Sequence, residues 1–222
     1  MAARNVCAIM AKQPYPGRTK TRLYPKLTPQ EAADLYEAML LDTIMLVATL
    51  DDIDLAIAAT PAEARTYFEG ITPPASTILP VEGVDIGECL TNTIRYLLEI
   101  GYHKVVALNA DGPSLPPEYI QLAFKHLDNN DIVLGPGHDG GYYLVGMKKL
   151  HREIFSGIFW STQDVLSQTK DKISDLGLEA GFTPEWYDVD TPGDLLRIKS
   201  DLQVVPAGRL IHVRRFLSNF DL

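Results

Sequence analysis

Apolar residues in this chain recur in two rhythms that alternate from one end to the other. Short continuous runs at 6–10, 54–59, 104–108 and 131–134 read as strands, with further candidates at 77–81, 142–147 and 185–189. Helical spacing occupies 29–50, 86–100 and 117–127, with a short helix ending near Gly70, one reaching about Leu176 and one starting at Thr191. Thr28-Pro29-Gln30-Glu31 supplies an N-cap, a proline at the first helical position and the acid that closes a capping box. Thr60-Pro61-Ala62-Glu63 repeats that start signal, and Ser161 or Thr162 is the predicted cap of the helix reaching Leu176. The helix after Thr28 is apolar on most faces, so it is predicted to be largely buried.

Strands alternating with helices of this length imply an α/β fold, a mainly parallel sheet covered on both faces. No Ser/Gly linker or internal repeat divides the 222 residues, which favours a single domain. In such sheets the ligand sits beyond the carboxyl ends of the strands. Four features fall at predicted strand ends: the stretch from Met10 to Leu23, Asp111, the segment Asp139-Gly140-Gly141 and Asp190.

Charge changes the picture of that first loop. The net charge is −9, which argues against nucleic acid or an anionic membrane as partner. Yet no Asp or Glu precedes Glu31, while Arg4, Lys12, Arg18, Lys20, Arg22 and Lys26 crowd the opening segment. A strand that empties into a cationic loop containing Pro16 and Gly17 is suited to hold a small anionic ligand such as phosphate; a solvated basic loop is the alternative. Cys7 and Cys89 lack metal-ligand spacing, and Cys7 reads as a reduced core residue. With no run of about 18 apolar residues and no signal-peptide pattern, a cytoplasmic protein is the expectation.

Asp111 closes an apolar run and is followed by Gly112-Pro113, so the strand stops there. Its carboxylate suits a hard cation such as Mg²⁺ (or Mn²⁺), or it caps the next turn. Asp190 is either a helix cap, in competition with Thr191, or a second carboxylate for the same ion. Asp139-Gly140-Gly141-Tyr142 either admits a ligand close to the backbone or forms a tight hairpin turn. His138 reads as a solvated loop residue, and no nucleophile elbow or zinc spacing is present.

Taken in order, these residues resemble a known family. Ala8-Ile9-Met10-Ala11-Lys12, Pro14, Pro16-Gly17 and Lys20-Thr21-Arg22-Leu23 are followed by Asp85-Ile86-Gly87-Glu88, Asp111 with Pro113 and Leu115, and Asp139-Gly140-Gly141-Tyr142-Tyr143. Trp160-Ser161-Thr162 and Asp188-Val189-Asp190-Thr191-Pro192 complete the set. The pattern resembles bacterial and archaeal glycosyltransferase-like or nucleotidyltransferase-like proteins of the glycosyltransferase-A fold, and is similar to 2-phospholactate and molybdenum-cofactor guanylyltransferases. It implies a three-layer α/β/α sandwich of the nucleotide-diphospho-sugar transferase type over 1–203. The tail 204–222 lies beyond the resemblance; its run from Arg209 to Phe216 alternates like a strand or a docking arm, with Phe216 and Phe220 as anchors on a partner surface, and homodimerisation through it is an expectation.

The resemblance further implies Mg²⁺ on Asp111 and Asp190, and triphosphate on Lys20 and Arg22, with Lys12, Gly17, Arg18, Asp85 and Gly87 around the nucleotide. Asp139, Gly140, Gly141 and Tyr142 would meet the acceptor. The activity so implied is transfer of a nucleoside monophosphate from a triphosphate to a phosphorylated small-molecule acceptor. Glycosyl transfer from a nucleotide-sugar is the alternative, and a nucleotide-binding protein without catalysis a third. Asn109, where relatives usually have Gly, and Cys89, where they have Arg, depart from the pattern.

Overall fold

The computed structural model describes residues 4–220. Seven strands form one sheet: β1 (Asn5–Lys12), β2 (Ile53–Thr60), β3 (Thr77–Pro80), β4 (Lys104–Asn109), β5 (Ile132–Pro136), β6 (Tyr142–Met147) and β7 (Ala180–Phe182). Their order across the sheet is β3-β2-β1-β4-β6-β5-β7, and only β6 runs against its neighbours. The chain builds outward from β1 to β2 and β3, then crosses back to place β4 on the other side of β1. That reversal opens a crevice at the carboxyl ends of β1 and β4.

Because side chains alternate along a strand, each strand feeds two cores. Cys7, Ile9, Leu55, Ile57, Val106 and Leu108 point to one face, where α1 (Pro29–Ala48), α2 (Arg65–Ile71) and α4 (Pro117–Asn129) pack. Val6, Ala8, Ala56, Val105 and Ala107 point to the other, against α3 (Ile86–Glu99) and α5 (Val165–Asp175). The result is the expected three-layer single domain. Burial pushes the Cys7 thiol up to about 12, consistent with an inert core residue.

A third core explains why α1 is apolar almost all round. Its far side, through Ala32, Leu35, Ala38 and Met39, packs on α6 (Pro192–Val204) and α7 (Ile211–Leu217). The capping box read from Thr28 and Glu31 is formed.

Four sequence expectations need correction. Residues 185–189 are not a strand: the chain runs extended past the sheet with one bridge, Gly137 to Trp186, and the last strand is β7. Thr60 is the final residue of β2 and starts no helix; a 3₁₀ turn, Ala62–Ala64, intervenes before α2. Helix α5 begins after Asp164 rather than at Ser161 or Thr162, so neither caps it. The run expected as a strand or docking arm is instead helical: Ile211–Leu217 form α7, packed onto the domain with Val213 and Leu217 buried. Phe216 and Phe220, expected as anchors for a partner, stack on each other at 4.6 Å and pack on the third core. Asp42 of α1 accepts backbone N–H bonds from His212 and Val213 at 3.1 and 2.8 Å, fixing the start of α7.

Candidate active site

β1 ends at Lys12, whose backbone N–H donates to the Tyr36 hydroxyl at 3.1 Å while its side chain is exposed. The loop that follows is pinned by Tyr15 N–H to Thr19 Oγ1 (2.9 Å) and turns at Gly17, φ 86°, with open space around it. Lys20 then takes a left-handed conformation, φ 48° and ψ 44°, entering a short 3₁₀ turn whose Leu23 is fully buried. With Leu23 as anchor, the Lys20 side chain folds inward and is only 7% exposed.

Its ammonium lies 2.5 Å from Asp111 Oδ1 and 2.7 Å from Asp190 Oδ1. The Tyr36 ring backs it at 6.0 Å. Burial alone would lower the lysine pKa, but the two carboxylates more than offset it and hold it above the ordinary value. Arg22 reaches Asp190 Oδ2 at 3.4 Å from the solvent side, 67% exposed. The structure therefore brings together Lys20, Arg22, Asp111 and Asp190.

Both open questions about the aspartates resolve the same way. Thr191 caps α6, with the Asp194 carboxylate accepting from its N–H at 2.7 Å, so the Asp190 carboxylate is left for Lys20. The Asp111 carboxylate also turns to Lys20, and its backbone carbonyl accepts from Val189 N–H at 2.8 Å. Close approach of these two segments requires Gly112, where a Cβ would lie 2.8 Å from the Tyr187 carbonyl oxygen. The Tyr187 and Ser114 hydroxyls both donate to Asp201 Oδ2, at 2.5 and 2.6 Å, tying the segment to α6.

Two participants were missed. Asn109 Nδ2 donates to both oxygens of Asp188, at 3.0 and 2.9 Å. Burial and the nearby Asp111 charge lift the Asp188 pKa to about 7, against the lowering effect of Asn109. The motif Asp188-Val189-Asp190 signalled its second acid but not its first, because the burial that perturbs Asp188 comes from the fold.

The other predicted residues lie apart from this cluster. Gly17, Arg18 and the Lys12 side chain form the exposed rim of the loop. Asp85 is the N-cap of α3, accepting from Glu88 N–H at 2.8 Å, and Gly87 packs on Trp160, where a Cβ would come within 2.9 Å of the ring. Asp139 accepts from Gly141 N–H at 3.0 Å inside the hairpin joining β5 to β6, so the hairpin alternative is realised. Gly140, φ 86°, admits the chain's own Gln163 backbone, whose oxygen a Cβ would meet at 2.1 Å. That contact is enough to account for the glycine. Tyr142 stands edge-on to Trp160 at 6.3 Å. His138 is exposed, 2.9 Å from Arg197, which stacks on Tyr187 at 3.7 Å.

Among the described residues no set of three His, Cys, Asp or Glu side chains encloses an ion. Two carboxylates nevertheless converge on one cation, the Lys20 ammonium, and offer only hard oxygen donors. That donor set fits Mg²⁺, which takes one or two carboxylates and completes its shell with water and phosphate oxygens. An open depression of about 660 Å³, lined in part by Asn5, Lys104 and Lys148, lies at the opposite end of β1 and β4 and is not part of this site.

The fold is that of the nucleotide-diphospho-sugar transferases and cytidylyltransferases. A 4-diphosphocytidyl-2C-methyl-D-erythritol synthase matches with TM-score 0.60 at 13% identity, over 90% of this chain and 99% of its own. A CMP:2-keto-3-deoxy-manno-octonic acid synthetase complexed with CTP matches with TM-score 0.57 at 11% identity, over 91% and 99%. A protein of Desulfovibrio desulfuricans G20, provisionally assigned as a nucleotide-diphospho-sugar transferase, is similar at TM-score 0.90 and 31% identity, over 98% of this chain and 95% of its own. The chain belongs to the family of uncharacterized proteins conserved in bacteria known as DUF2064, whose pattern matches residues 43–162. No curated protein matches the sequence. Among the described residues no helix is long and apolar enough to cross a membrane.

Proposed function

We propose that this protein is a Mg²⁺-dependent nucleotidyltransferase, moving a nucleoside monophosphate from a triphosphate to a phosphorylated small-molecule acceptor with release of pyrophosphate. The observation that carries this reading is the buried Lys20 ammonium shared by Asp111 and Asp190 where the sheet reverses direction. Phosphoryl chemistry of this kind needs positioning and charge neutralisation more than a protein base. Lys20 and Arg22 would hold the β- and γ-phosphates and stabilise the departing pyrophosphate. Asp111 and Asp190 would hold Mg²⁺, which when bound neutralises phosphate charge and orients the α-phosphate. Asn109 holds Asp188 beside that pair through its amide. The fold neighbours named for cytidylyl transfer, one complexed with CTP, agree with a nucleotide in this crevice.

Glycosyl transfer from a nucleotide-sugar is the second reading, favoured by the assignment of the Desulfovibrio relative. Against it, Asn109 spends its side chain on Asp188 and does not present an Asp-x-Asp-like ligand pair with Asp111. A thermal-shift screen of nucleoside triphosphates and nucleotide-sugars, with and without Mg²⁺, followed by product analysis, decides between them. Stabilisation by a triphosphate and release of pyrophosphate supports nucleotidyl transfer. Release of a nucleoside diphosphate supports glycosyl transfer, and stabilisation without turnover supports a binding protein.

A further inference from the structure

The point between the Asp111 and Asp190 carboxylates is where a two-carboxylate site would seat its divalent cation, and Lys20 Nζ already stands there, 2.5 and 2.7 Å from one oxygen of each. An ammonium and a divalent cation cannot share that point, because their repulsion at contact distance in a partly desolvated site is severe. The carboxylates are about one-third exposed (32% and 33%), whereas the lysine side chain is 7% exposed, so the ammonium is the inner partner. Withdrawing it without a new anion would leave Asp111 unneutralised, Asp190 with only the exposed Arg22 at 3.4 Å, and the lysine unpaired. A triphosphate supplies that anion. Arg22, exposed and 3.4 Å from Asp190, marks the solvent side of the cluster as cationic, and phosphates arriving there would meet Lys20 as it turns outward.

We propose that Lys20 is a built-in counter-ion that keeps the divalent cation out until a triphosphate draws its ammonium away, so that cation and nucleotide bind as one coupled event. This rests on the reading of Asp111 and Asp190 as metal ligands and Lys20 as a phosphate ligand. Lys20 is then a positioning residue twice over. Before substrate arrives it holds the carboxylates convergent, and afterwards it holds the phosphates. Free metal would not preload the site, and metal-free protein would stay charge-balanced at its centre.

The test is equilibrium dialysis of Mn²⁺ against unaltered protein, Lys20→Ala and Lys20→Met, with and without an equimolar mixture of the four ribonucleoside triphosphates. Unaltered protein alone is expected to retain Mn²⁺ weakly and to tighten about tenfold or more when triphosphates are added, within the usual range of coupling between sites. Both variants, lacking the ammonium, should retain Mn²⁺ about tenfold more tightly than unaltered protein without nucleotide, and gain less from triphosphates. The methionine variant keeps an uncharged side chain of similar length in the same buried position, so a folding defect in the alanine variant leaves the test intact. Equal Mn²⁺ affinity in unaltered protein and Lys20→Met without nucleotide would overturn the proposal and leave the transferase reading standing. Adding Asp111→Asn and Asp190→Asn to Lys20→Met separates the two failures. If Mn²⁺ retention persists undiminished in that triple variant, or no protein retains Mn²⁺ under any condition, the metal-site reading falls, and the proposal with it.

Discussion

Asn109 closes β4 by donating its amide to both oxygens of Asp188, a residue 79 positions later in the chain. That bond and the Lys20 charge favour the charged form of Asp188, while burial, Asp111 and Asp190 push the other way.

A pH prediction follows from the balance. The folded-state pKa of Asp188, about 7, lies above that of an unfolded aspartate, so the folded protein binds the proton more tightly. Its contribution to stability is fully present below about pH 4 and is lost as pH rises toward 7, with a slope on the order of 1 kcal/mol per pH unit at most. Metal-free protein followed by thermal unfolding between pH 4.5 and 8 should show this decline, and Asp188→Asn should flatten it. A slope identical in the two proteins would exclude Asp188 as its source.

Lys20 and Arg22 share Asp190 but not burial, and their variants should diverge. Lys20→Ala removes a preorganised, desolvated charge, and a rate loss on the order of a hundredfold or more is expected in pyrophosphate release. Arg22→Ala removes an exposed charge 3.4 Å from its partner, for which roughly tenfold or less is expected, mainly in nucleotide KM. If Lys20→Ala turned over nucleotide normally, the phosphate role would be wrong.

Two glycines with the same φ of 86° separate conformation from packing. Gly17→Ala meets open space, so it should cost only the left-handed penalty of about 1–2 kcal/mol. Gly140→Ala adds a collision with the Gln163 backbone and should cost more, about 2–4 kcal/mol in urea unfolding, once a displaced hairpin is added to the same strain. Equal losses at the two positions would show that the hairpin yields freely.

Asp42→Ala should release α7. Two backbone N–H groups lose their acceptor, a cap loss of about 1–2 kcal/mol. Limited proteolysis should then open a new cleavage between residues 205 and 211, with the fold up to α6 intact. An unchanged digest would mean that Val213 and Leu217 hold α7 by packing alone.

Much of the architecture was legible because it rests on local signals. The buried runs of β1, β2 and β4, the Thr28 capping box and the helix start at Thr191 are written in consecutive residues, and each sits where the sequence placed it. What escaped depends on pairing at a distance. Residues 185–189 have strand composition, but Trp186 N–H bonds the Pro136 carbonyl and Val189 N–H that of Asp111, so their apolar side chains fill a core beside the sheet. β7 has only Ala180-Gly181-Phe182, and Gly181 is required by His126, whose Cβ would lie 2.7 Å from an added methyl. Of the site, Lys20, Arg22, Asp111 and Asp190 were readable as charges at strand ends. Asp188 was not, since nothing in its neighbours announces that it is buried opposite Asn109.

Lys20 and Asp190 are separated by 170 positions, with Asp111 between them. During synthesis the lysine emerges with the first strand and must wait for both acids. Asp111 can meet it first, but the second carboxylate arrives only when the segment before α6 has left the ribosome. The full three-membered cluster is thus a late event in maturation, and a chain arrested before residue 190 would hold every strand of the sheet but lack the second carboxylate of its site.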